Sequence, residues 1–184
     1  MIGDTFFYQT TINYDLTFSQ RVDQRKVSNM VDPIAQGLAL AGGALALAGG
    51  VLGSSLGIGA AGSAGATTLA EDPKQLRNVL LLAALPMTQT FYGLIVLINI
   101  IFYVSGHAEL DIAKGLAVLT IGFMVGVAEA ASAKKQGDIC AAGIIELPRT
   151  RGKITFNAVI LAVYVELIGI LGMVFSFMAL SLIG

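Results

Sequence analysis

Four long apolar stretches, parted only by short polar turns, leave this chain few folds to choose from. Residues 33–69 and 79–104 contain no charged side chain, and residues 112–145 carry Lys114 at their start and then no charge until Glu129, Lys134, Lys135 and Asp138. From 154 to 184 the only charge is Glu166. About 20 apolar residues suffice to cross a bilayer as a helix. The turns AEDPKQLRN (70–78), SGHAELD (105–111) and ELPRTRGK (146–153) are short enough to force antiparallel neighbours. The expected fold is therefore an all-α membrane protein, with four transmembrane helices as two tandem antiparallel hairpins. The first hairpin spans 33–104, an extracellular turn 105–111, and the second hairpin 112–184.

Composition agrees, with 12% charged residues against the roughly 25% of soluble domains. A net charge of −1 argues against nucleic acid as a partner, and the lone Cys140 excludes an intrachain disulfide or a cysteine-based metal cluster. Cys140 itself reads as a small apolar packing residue. Residues 1–32 form a polar tail without the apolar core of a secretory signal. Ile12, Tyr14, Leu16 and Phe18 alternate in it like a short strand, and both a poorly ordered tail and a functional element stay open.

Lys74, Arg77, Arg149, Arg151 and Lys153 fall in the first and third turns, whereas the middle turn has no lysine or arginine. The positive-inside rule puts turns 70–78 and 146–153 in the cytoplasm and both termini outside. His107, in the middle turn, reads as a solvated loop histidine.

The hairpins look like a duplication. AGSAGATTLAEDP (61–73) lies on QGDICAAGIIELP (136–148), and LPMTQTFYG (85–93) on YVELIGILG (164–172), which sets Met87 opposite Glu166. The second alignment needs about four extra residues in the turn at 146–153.

The chemistry gathers around Glu166. An isolated carboxylate at membrane depth costs roughly 2.5–3.5 kcal/mol, so a proton, a cation or a cationic partner must neutralise it. In the second stretch Pro86 lacks an N–H and crowds the carbonyl of Leu82, loosening the helix. Leu85, Thr88, Gln89 and Tyr92 share one face there, offering oxygens suited to a hard cation such as sodium; interhelical hydrogen bonding is the plainer use. Gln136 is the natural further contributor. Glu129, seven residues earlier on the same face, is a rival acid or else the partner of a lysine. Lys134 and Lys135 snorkel or face a lipid-plugged or hydrated interior.

Ten glycines between Gly37 and Gly65 make one helix face nearly bare backbone. Small faces let helices approach closely in lipid, and the expected use is a tight inner ring of identical neighbours, the alternative being a generic two-helix contact. No phosphate-cradling loop, nucleophile–base pair or zinc spacing occurs, so this chain is not expected to bind ATP.

LPMTQTFYGLI, QGDICAAGI and VELIGILGMVFSF give the chain its family likeness. Over roughly 34–183 it resembles the proteolipid subunit (K or c) of V-type rotary ATPases in the prokaryotic four-helix form, and most of all the sodium-translocating branch. The resemblance implies that Glu166 is the ion-binding carboxylate, with side-chain oxygens from Gln136, Thr88 and Gln89, the carbonyl of Leu85, and a Tyr92 hydroxyl that holds Glu166. It implies Na+ (alternatively H+) as the ion and no organic cofactor. It also implies a homo-oligomeric rotor ring in lipid, a stator subunit bearing a membrane arginine, and a central-stalk subunit on the cytoplasmic side. The leader, Glu129 and the charged KKQGD around Gln136 depart from the pattern. Two rival classes are a small proton-coupled secondary transporter using Glu166 and a structural four-helix membrane protein.

Overall fold

Every apolar stretch becomes a helix in the computed structural model, which describes residues 32–107 and 110–183. The strand-like alternation at 12–18 lies outside the described residues.

Helix α1 (Pro33–Glu71) opens with Asp32, whose Oδ1 accepts from the Ile34 amide at 2.8 Å, and with Pro33 in its first turn. At 39 residues it is about 58 Å long, well beyond the roughly 30 Å hydrocarbon core. Asp72 ends it and caps the next segment, accepting from Lys74 N at 3.2 Å and Gln75 Nε2 at 3.0 Å. Those bonds, the Gln75 amide foremost, hold the Asp72 carboxyl below its ordinary range.

The second span is a 3-10 turn (Pro73–Gln75), α2 (Leu76–Ala84), a second 3-10 turn (Leu85–Met87) and α3 (Thr88–Gly106). The tightening at Leu85–Met87 falls where Pro86 withholds its amide. Helix α4 (Ile112–Ile145) starts on Asp111, whose Oδ1 accepts from Lys114 N at 2.8 Å. A single helical turn, α5 (Leu147–Thr150), follows, then Arg151 and Gly152 with φ of 52° and 80°. That reversal houses the extra residues of the second repeat, since Pro73 leads straight into its span while Pro148 begins a separate turn. Helix α6 (Thr155–Ile183) completes four helices long and apolar enough to cross a membrane.

The spans form two layers. Helices α1 and α4 pack most closely, with the second span against α1 and α6 against α4. The glycines explain the intimacy. A Cβ on Gly49 would run into the Gly126 backbone, one on Gly122 into Gly42, and one on Gly137 into Gly57. The other side of α1 meets the second span, where a Cβ on Gly50 would strike Gln89 and Thr90. Most of the glycine face is therefore used inside the subunit, against α4 and the second span, a use that the expectation of a ring of identical neighbours did not include. Gly37, Gly59 and Gly62 have nothing within 4 Å of a Cβ position and remain available to a neighbour.

Two apolar clusters fill the interior. One joins Ala46, Val96, Ile100, Val118, Val125 and Leu180; the other joins Ala61, Val79, Leu82, Cys140, Ile144 and Ala162. Between them lies a belt of buried polar side chains, Gln89, Glu129, Ser132 and Gln136.

Candidate functional site

The belt sits where the second span tightens. In the 3-10 turn at Leu85–Met87 the Leu85 carbonyl accepts from the Thr88 backbone amide and lies 3.2 Å from Thr88 Oγ1, and the same hydroxyl lies 3.1 Å from Gln89 Oε1. One turn later Tyr92 reaches across to α6, where its hydroxyl donates to Glu166 Oε1 at 2.8 Å. Gln136 arrives from α4, donating through Nε2 to Glu166 Oε2 at 3.1 Å. Its Oε1 accepts from Gln89 Nε2 at 2.9 Å. Each oxygen of Glu166 thus has a donor from a different helix, and the six sequence-selected residues form one continuous network.

Gln89 and Gln136 are fully buried, whereas Glu166 is half-buried at the outer surface of the subunit. The charges beside Gln136 do not disturb it. Lys134 Nζ lies 2.5 Å and Lys135 Nζ 3.8 Å from the Asp138 carboxylate, on the opposite side of α4. The KKQGD run is a helix with an ion-paired outer face and a buried glutamine.

The two halves of the chain, residues 41–100 and 119–179, each match the family of the ATP synthase C-subunit. The chain belongs to that family. It is 31% identical over 127 residues to the V-type sodium ATPase subunit K of Enterococcus hirae, spanning 69% of this chain and 80% of that protein. It is 42% identical over 73 residues to the A-type ATP synthase subunit K of Methanocaldococcus jannaschii, spanning 40% of this chain and 32% of that protein. The chain is thus a rotor-ring proteolipid of a rotary ATPase, a multi-pass membrane protein that performs no catalysis by itself.

Within this proteolipid the two repeats differ where it matters. Met87, paired in the repeat with Glu166, is exposed and offers no oxygen. The network also contains a residue that sequence reasoning missed. Ser132 Oγ accepts from Gln89 Nε2 at 3.1 Å and donates to the Val165 carbonyl at 2.9 Å. Its place one turn before Gln136 was the available signal. Two expectations need correction. Among the described residues Glu129 pairs with no lysine, because Lys134 and Lys135 turn to Asp138. His107 is half-buried: its Nδ1 is 2.8 Å from the Tyr103 carbonyl and its ring stacks on Tyr103.

Proposed function

We propose that this proteolipid carries sodium on Glu166, one ion per four-helix unit, as ATP-driven rotation moves the ring past the stator. The observation that carries the reading is the convergence on Glu166 of Tyr92 and Gln136, beside the oxygens of Leu85, Thr88 and Gln89. A sodium ion must exchange its hydration shell for several fixed oxygens, and this set gathers such oxygens beside a membrane carboxylate. In the ion-loaded form Glu166, Gln136, Thr88, Gln89 and the Leu85 carbonyl hold the cargo while Tyr92 restrains the carboxylate. The sodium ATPase protein among the relatives supports the choice of ion.

An ionised carboxylate facing lipid is heavily penalised, so each Glu166 crosses the lipid-facing arc holding its ion. At the stator a membrane arginine displaces the ion into a half-channel. We place turns 70–78 and 146–153 in the cytoplasm, where a central-stalk subunit meets the ring. Met87 in the first hairpin halves the sites per helix and favours pumping against steep gradients over ATP synthesis. The test is carbodiimide labelling of the purified ring near neutral pH. Sodium should protect Glu166; labelling that responds to pH and ignores sodium would make this a proton rotor.

A further inference from the structure

Glu129 is the one fully buried acid among the described residues, and the network around Glu166 does not use it. Neither carboxyl oxygen has a hydrogen-bond partner among the described residues. Its space is provided by Gly169, one turn beyond Glu166 on α6. A methyl group on Gly169 would lie 2.5 Å from Glu129 Oε2 and 3.3 Å from its carboxyl carbon. Burial is complete within a single subunit, so neither lipid nor a neighbouring proteolipid reaches the carboxyl.

The charges facing it are all of the wrong sign for an ion pair. Glu166 comes from α6 and the Tyr92 phenol from α3; α1 is uncharged over 33–69, and Lys134 and Lys135 on α4 are engaged with Asp138. A carboxylate so placed is neutral only if it binds a cation of its own. Sodium is a poor candidate because it needs several oxygens. The Ser132 hydroxyl, which borders the same Gly169 position, already donates to Val165 O and accepts from Gln89.

We propose that Glu129 is a second cation site of the proteolipid, selective for a proton, which it keeps while Glu166 carries the transported ion. Each four-helix unit then holds two monovalent cations, one helical turn apart. This goes beyond the reading of Glu166 and does not depend on which ion that residue carries.

The test is infrared spectroscopy of the intact detergent-purified ring at neutral pH and saturating sodium, with radioactive sodium binding measured on the same samples. The expected result is the carbonyl stretch of a neutral carboxylic acid in wild type. It should persist in Glu166→Gln, shift in Glu129→Asp and vanish in Glu129→Gln, while sodium binding falls only in Glu166→Gln. Should Glu129→Gln fail to assemble, the shift in Glu129→Asp and the wild-type band decide. Absence of a neutral-acid band in Glu166→Gln would overturn the proposal, as would a second sodium per four-helix unit lost with Glu129. Failure of sodium binding alone would count against the sodium reading of Glu166 and leave this one standing.

Discussion

Tyr92 and Glu166 meet across the gap between the second and fourth spans, the phenol donating to Oε1 at 2.8 Å. They come from different repeats, so this bond ties the two hairpins together at the level of the polar belt. A hydrogen bond to a charged group contributes about 1.5–3 kcal/mol. Tyr92→Phe should therefore weaken sodium protection of Glu166 by roughly 10- to 100-fold. Titrating carbodiimide labelling against sodium measures it, and an unchanged midpoint would show that the phenol does not restrain the carboxylate.

Glu166→Gln should abolish ion-coupled ATP hydrolysis in the assembled complex while the ring still forms, because the amide keeps the shape of the carboxyl without its charge. Sodium-dependent hydrolysis, read beside ring mobility on a native gel, separates the two effects. An active Glu166→Gln complex would mean that a residue other than Glu166 carries the ion.

The glycine contacts divide into two testable groups. Gly49→Leu should prevent the subunit from folding, since a Cβ there already overlaps the Gly126 backbone. Gly62→Leu should leave secondary structure intact, because nothing within 4 Å opposes it, yet stop ring closure if a neighbour packs on that face. Circular dichroism with native-gel analysis distinguishes them. Normal rings in Gly62→Leu would remove that face from the inner wall.

Much of this was legible because lipid narrows the options. Long uncharged runs and short turns admit little besides antiparallel helices, and the spacing of Leu85, Thr88, Gln89 and Tyr92 set them on one face. What the sequence left open was partnership. Bare glycine faces say that something approaches closely without saying whether it is α4 or another copy of the chain. Glu129 shares a face with Gln136, yet nearby lysines made an ion pair look cheaper until Asp138 proved to hold both. Ser132 carried no mark beyond its distance from Gln136, and only the bond to Val165 O from a distant span reveals it.

Gln89 is the hinge of the buried network, with Nε2 shared between Gln136 Oε1 and Ser132 Oγ. Gln89→Ala removes a donor from two buried acceptors, each costing about 1–3 kcal/mol when left unmade. The expected outcome is a ring that assembles with lowered thermal resistance and weakened sodium protection together. Thermal dissociation of the detergent-solubilised ring measures the first effect. Loss of protection with unchanged resistance would mean that Gln89 touches the ion without supporting the helices.

Thr88→Val decides between the two uses of the polar face. The hydroxyl lies 3.2 Å from the Leu85 carbonyl and 3.1 Å from Gln89 Oε1, so its oxygen sits among the others proposed to face the ion. Valine keeps the branched shape and removes that oxygen. A protonated Glu166 needs only a carboxyl in its pocket, and losing a hydroxyl one residue from Gln89 should leave its pH-dependent labelling nearly unchanged. A sodium ion loses one of a few fixed ligands and should protect at least tenfold less well, equivalent to about 1.4 kcal/mol. The ring itself should melt within a few degrees of wild type, because Thr88 is only half-buried. Equal sodium protection in wild type and Thr88→Val would leave the hydroxyl a hydrogen-bonding group and remove Thr88 from the ion's shell.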